Sequence, residues 1–165
     1  MKAKVISVFA GLGKTTVGNK YSNVCDLTSY KYRYDYSNIT QEDYEKMKYD
    51  KGMIVNPRWP DNYLESLREA MMKYDIVLVP SNEDIRLLLQ REKIDFLFVL
   101  PSMDSKEMLL ERYKARGNND ILIKEVIGYF DNWSRDSQDY DYQLIILDKD
   151  KTLEDLLLEL NYISK

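Results

Sequence analysis

The stretch Val5-Ile6-Ser7-Val8-Phe9-Ala10-Gly11-Leu12-Gly13-Lys14-Thr15-Thr16 constrains this chain more than any other. An apolar, β-branched run leads into two nearby glycines, then into Gly-Lys-Thr at the start of a helically spaced segment. Strand, glycine loop and helix in that order are the setting in which a loop can hold phosphate. Glycines let the backbone curl so that successive N–H groups point inward, and the helix N-terminus adds partial positive charge. On this reading Gly11, Leu12, Gly13, Lys14, Thr15 and Thr16 hold phosphates, Lys14 reaches the β- and γ-phosphates, and the Thr15 hydroxyl is offered to Mg²⁺. The full pattern G-x-x-x-x-G-K-[ST] has a further glycine where Val8 stands, and Gly11 inside the loop supplies that freedom instead. The plainer alternative is a tight strand-to-helix turn with a surface lysine.

Further apolar runs at residues 24–27, 76–79, 96–100 and 144–147 read as buried strands like that at 5–10. They are near-continuous rather than alternating, as in a parallel sheet covered on both faces. Helical spacing fills the gaps at 15–20, 41–49, 61–74, 83–92, 105–116, 119–135 and 153–160. Strand and helix alternate, so the expectation is an α/β fold built from βαβ units, one domain across residues 1–165, without internal repeat or linker. Capping side chains precede the segments at 41 and 61, and Gly117 follows the segment ending at Arg116. Tyr30-Lys31-Tyr32-Arg33-Tyr34-Asp35-Tyr36 alternates with period two, as a Tyr-rich strand or loop packing one face would, or a base-stacking surface.

Composition narrows the chemistry. There is no histidine, which removes imidazole acid–base work, Ser-His-Asp and Cys-His sites and His-bearing zinc sites. The single Cys25 excludes an internal disulfide and cysteine-cluster metal centres, and a lone thiol fits a reducing cytoplasm. The net charge of −4 argues against a general nucleic-acid binder. No run of 18 apolar residues is present, so no membrane helix is expected, and the N-terminal run is too short and too soon followed by Lys14 to be a signal peptide. What is left is chemistry done by carboxylates, lysine, arginine, hydroxyls, backbone amides and a divalent metal.

Three more groups of residues can carry such chemistry. Asp26 closes the second strand, beside the loop at the carboxyl end of the sheet, where it can accept a hydrogen bond from a substrate or orient Mg²⁺ through water. It can equally cap the next helix or close an Asx turn. Arg112 and Arg116 lie four apart on one helix face, where they can neutralise charge during phosphoryl transfer, or simply sit at a helix C-terminus on the surface. In Val55-Asn56-Pro57-Arg58-Trp59-Pro60, Arg58 can clamp a phosphate and Trp59 can stack on a base, or the two can pack as ordinary surface residues. No acidic residue closes the run at 76–79; Asp148 ends the last strand, far from the loop in sequence, so Mg²⁺ support falls to Thr15 with Asp26 or Glu83 further out.

With these residues in view, the chain resembles P-loop kinases of the nucleoside monophosphate kinase group, and more narrowly small nucleotide-kinase-like proteins of phages and Gram-positive bacteria. The likeness is carried in order by Phe9-Ala10-Gly11-Leu12-Gly13-Lys14-Thr15, Asp26-Leu27-Thr28-Ser29, Asn56-Pro57-Arg58-Trp59-Pro60-Asp61-Asn62-Tyr63, and Glu111-Arg112-Tyr113-Lys114-Ala115-Arg116-Gly117-Asn118 with Asn132-Trp133 beyond. Ala10 takes the proline position of kinase loops that read Pro-Gly-x-Gly-Lys, and Thr28 departs from the serine of the group. The resemblance implies a three-layer P-loop kinase fold with a five-stranded parallel sheet of order 2-3-1-4-5 and a short lid near 112–119. It implies Mg²⁺ and ATP as cofactors, Lys14, Asp26, Arg112 and Arg116 as catalytic, and a nucleotide or nucleoside acceptor near Asp26, Arg58 and Trp59. It further implies a cytoplasmic monomer or homodimer with neither nucleic acid nor membrane as partner. The competing class is an ATP-binding switch or slow ATPase without a small acceptor.

Overall fold

The structure is a computed structural model that describes residues 3–37, 39–42, 54–117, 123–124, 126–128, 130–132 and 143–165. Its centre is β1 (Lys4–Val8), whose side chains alternate between two cores. Ile6 and Val8 enter one cluster and Val5 the other, the period-two division that a strand buried on both faces requires. β1 pairs in parallel with β3 (Ile76–Pro80) on one side and β4 (Phe96–Pro101) on the other, setting Ile6 against Leu78 and Leu97. β2 (Val24–Asp26) adds beyond β3 and β5 (Gln143–Leu147) beyond β4, all parallel, giving the order β2-β3-β1-β4-β5.

Helices cover both faces. On one, α1 (Lys14–Lys20), α5 (Lys106–Ala115) and α6 (Leu153–Glu159) contribute Val17, Leu109, Tyr113, Leu153 and Leu157. On the other, α3 (Asp61–Lys73) lays down Tyr63, Leu67 and Ala70, spaced for one helix face, beside Ile85 and Leu89 of α4 (Glu83–Arg91). Each such fully buried large side chain stabilises the fold by about 1.5–3 kcal/mol. α6 starts on a capping box in which the Thr152 side chain accepts from the Asp155 amide and Asp155 accepts from the Thr152 amide.

Two expectations change. The first strand stops at Val8 rather than Ala10, because past that point the backbone curls and Gly11 takes a φ of 85°. The alternating tyrosines form no strand: Tyr30–Arg33 is the one-turn helix α2, and Tyr34 then makes an isolated antiparallel bridge to Val55. Tyr32 and Trp59 pack edge-on and tilted against Tyr63, so the tyrosines serve packing here. The described residues between 123 and 132 are helical, as expected, and Ile123 and Phe130 are buried. Most of the helix expected at 41–49, the lid residues Asn118 and Asn119, and Trp133 lie outside the described residues. Among the described residues no helix is long and apolar enough to cross a membrane.

Candidate active site

The loop after β1 emerges at the carboxyl edge of the sheet, at its centre. Gly11 and Gly13 hold φ values of 85° and 108°, a region in which a side chain is strained. Gly11 has a second reason to be glycine, since a Cβ there would come within 2.9 Å of Tyr113 Cε1 and 3.2 Å of Leu109 Cδ2. From Gly11 to Thr16 the backbone amides have no hydrogen-bond partner among the described residues. Six consecutive free donors at a helix start, two of them glycine amides, are an anion cradle.

The loop carbonyls, by contrast, are taken. The Tyr113 hydroxyl donates to the Ala10 carbonyl at 2.6 Å, Arg112 Nη1 donates to that of Gly11 at 2.9 Å, and the Leu153 amide donates to that of Leu12 at 3.2 Å. Lys14 Nζ donates to the Val8 carbonyl at 3.2 Å. Burial pushes the Lys14 ammonium down from 10.5 to about 8; Asp26 opposes the fall and Arg116 adds to it. Lys14 is therefore a cation held beside the cradle, its solvation reduced by partial burial.

Among the described residues Asp26 makes neither a helix cap nor an Asx turn. It leaves the start of α2 to Ser29 and faces α1, where the Thr15 hydroxyl donates to Asp26 Oδ2 at 3.0 Å. Its other oxygen, Oδ1, is buried and has no hydrogen-bond partner among the described residues. Gly18 makes this approach possible: a Cβ there would lie 2.9 Å from Asp26 Cβ and 3.3 Å from its amide nitrogen. Thus Thr15, Lys14 and Asp26 are brought together, whereas Asp148 stands exposed at the end of the edge strand and Glu83 is exposed in the first turn of α4. Among the described residues no three cysteine or acidic side chains gather to hold an ion, so a divalent cation at Thr15 and Asp26 would complete its shell with phosphate oxygens and water. The unpartnered Oδ1 and the bare amides fit Mg²⁺ and a polyphosphate.

Arg112 and Arg116 end α5 over the loop, and both line a pocket of about 300 Å³ together with Gly13, Thr16, Thr152 and Glu154. Sequence reading passed over the last two. The Thr152-x-x-Asp155 box marked a helix start, but nothing in the sequence told that this start would face the loop. Glu154 there accepts from both Lys20 Nζ and the Tyr21 hydroxyl.

Of the two placements its loop allowed, Arg58 takes the exposed surface one. Its Nη2 lies 2.8 and 2.9 Å from the two oxygens of Glu65, on an exposed surface, and it makes no hydrogen bond or ion pair with Asp26. The cation seated on the Trp59 ring is instead Arg33, its guanidinium 4.4 Å from the ring centroid and hydrogen-bonded by two nitrogens to Asp84. Sequence reading did not single out Arg33, which stood as one member of a tyrosine-rich strand or loop.

No protein-family model matches the chain, and no curated protein matches it in sequence. Its structure is similar to that of the tunicamycin resistance protein of Deinococcus radiodurans, with a TM-score of 0.54 at 14% identity over 96% of this chain and 93% of that one. At that identity the likeness shows the fold alone: three layers around a five-stranded parallel sheet of order 2-3-1-4-5.

Proposed function

We propose that this chain is a phosphotransferase that moves the terminal phosphoryl group of Mg·ATP to a small acceptor, a (deoxy)nucleoside monophosphate. The observation that carries the reading is the run of free amides from Gly11 to Thr16 set beside Lys14 and the Thr15–Asp26 pair. Free donors and a desolvated ammonium favour a polyanion, and phosphoryl transfer asks for little more than positioning and charge stabilisation, which needs no histidine. In this assignment the loop amides and Lys14 hold the β- and γ-phosphates, and Thr15 with Asp26 carries the Mg²⁺, which when bound neutralises phosphate charge. Arg112 leaves the Gly11 carbonyl and, with Arg116, meets charge that grows on the transferring group. Asp26 Oδ1 orients the acceptor or a water next to it.

On the acceptor side, Arg33 on Trp59 is better placed than Arg58 to grip an anionic group at the ends of β2 and β3. One observation favours the reading as an ATP-binding switch or slow ATPase: both of these arginines are already paired, with Asp84 and Glu65, so an acceptor phosphate must displace a carboxylate. The test is ADP production from Mg·ATP with a panel of nucleosides, (deoxy)nucleoside monophosphates and tunicamycin, the last because a protein of this fold is named for resistance to it. The kinase reading expects one monophosphate to stimulate turnover and to be recovered carrying one more phosphate, with Arg33→Ala raising its KM more than Arg58→Ala. ATPase activity that no member of the panel stimulates overturns it in favour of the switch.

A further inference from the structure

We infer that Tyr113 is a positioning residue for the phosphate cradle: its hydroxyl holds the Ala10 carbonyl outward, and so helps aim the loop amides at a bound anion. The inference rests on the proposed reading of the loop as a phosphate site. A trans peptide is planar, with its C=O and N–H pointing opposite ways, so fixing one end fixes the other. Holding the Ala10 carbonyl outward turns the Gly11 amide inward; the same holds for the Gly11 carbonyl and Leu12 amide, and for the Leu12 carbonyl and Gly13 amide. These three successive carbonyls are the ones met by Tyr113, Arg112 and the Leu153 backbone amide, all from helices outside the loop. The cradle is built from behind.

Of the two side-chain donors Tyr113 is the one suited to staying in place. Arg112 has a long charged side chain that the proposed reaction draws away toward phosphate. Tyr113 is neutral, 3% exposed, and pressed edge-on against Gly11, where even a methyl group would collide with its ring. Burial pushes its phenol well above the ordinary value, so it remains a donor throughout the working pH range. Without it, the Ala10 carbonyl is free to rotate toward the anion and present a partial negative charge where a donor belongs.

The probe is inorganic tripolyphosphate, which carries the phosphate recognition without a base. Calorimetric titration of the full chain should give about tenfold weaker binding for Tyr113→Phe, with faster hydrogen exchange at the Gly11, Leu12 and Gly13 amides of the tripolyphosphate-saturated protein and rescue of both by 4-aminophenylalanine at position 113, which restores a donor. A role in packing alone moves neither the exchange nor the rescue. Tyr113→Phe binding tripolyphosphate within about twofold of the parent overturns the inference while leaving the phosphate-loop reading standing. Failure of the parent protein to bind tripolyphosphate at all overturns that reading and the inference with it. Should Tyr113→Phe not fold, 4-methylphenylalanine and 4-aminophenylalanine at position 113 keep the para substituent without and with a donor, and the same tenfold difference is read between them.

Discussion

Replacing Lys14 with methionine should raise the stability of the ligand-free protein and abolish its stabilisation by nucleotide. Methionine keeps the apolar stem, so packing changes little and the charge is what is lost. The Lys14 ammonium falls from 10.5 to about 8 in the folded protein, chiefly through burial. A lowered folded pKa means that the folded state binds fewer protons than the unfolded chain between about 8 and 10.5, so stability rises with pH through that window and the full cost is present at pH 7. At about 1.4 kcal/mol per pH unit the difference amounts to about 3 kcal/mol. The side chain is only half-buried and remaining water screens it, which lowers the expected cost to roughly 1–2 kcal/mol. Loss of the hydrogen bond to the Val8 carbonyl takes part of that back, leaving a net gain of about 1 kcal/mol.

For a chain of this length that gain corresponds to a rise in Tm of roughly 2–4 °C. Thermal denaturation at pH 7 and pH 10, with and without Mg·ATP, reads it. The variant should melt above the parent at pH 7, the gap should narrow toward pH 10 as the parent's lysine loses its proton, and only the parent should respond to nucleotide. A variant less stable than the parent at pH 7, or a gap that pH does not change, refutes the argument that Lys14 is held at a cost for the sake of binding.

Gly18→Ala should destabilise by about 1–2 kcal/mol although alanine favours helix by about 1 kcal/mol, because the new Cβ meets Asp26 Cβ at 2.9 Å; a rise in Tm would show that β2 yields freely. Asp26→Asn should leave tripolyphosphate binding nearly intact and lower kcat at least tenfold, with a higher Mg²⁺ requirement, in steady-state assays; unchanged Mg²⁺ dependence would remove the carboxylate from the metal's surroundings. Arg112→Ala and Arg116→Ala should lower kcat far more than they weaken ATP binding, with a loss on the order of 10³-fold from at least one. If both turn over normally, the two arginines are surface charge.

The sheet and the glycine loop were legible because each depends on local pattern. Continuous β-branched runs announce strands buried on both faces, and Gly11, Gly13 and Lys14 need only their neighbours to define a cradle. Asp26 was singled out by its place at a strand end, but its turn toward Thr15 depends on Gly18, whose close contact with it crosses from helix to strand. The surroundings of Trp59 were read less well. Arg58 and Arg33 both stand near Trp59 in the fold, and which one the ring receives is decided by Glu65 and Asp84, partners that no spacing rule connects to either arginine. The alternation at 30–36 misled for a related reason: a tertiary contact with Tyr63 wound four of those residues into a helix turn, overriding a weak strand preference.

The central position of β1 decides how charge is arranged around its loop. The β4 and β5 side delivers α5 and α6, and with them Arg116; the β3 and β2 side delivers Asp26 to the opposite flank. Lys14 sits between the two, under opposed fields, so burial decides its protonation and leaves it titrating near pH 8. A bound polyphosphate adds negative charge next to the ammonium and restores its proton. Above about pH 8, binding and proton uptake then become one event, and the association constant for tripolyphosphate should fall toward tenfold per pH unit up to about pH 10. Below pH 8 the lysine is already charged and that slope vanishes. Titrations in buffers of different ionisation enthalpy should show uptake approaching one proton per ligand above pH 8 in the parent and none in Lys14→Met. Affinity that stays level from pH 7 to pH 10 would mean that the anion rests elsewhere than beside this lysine.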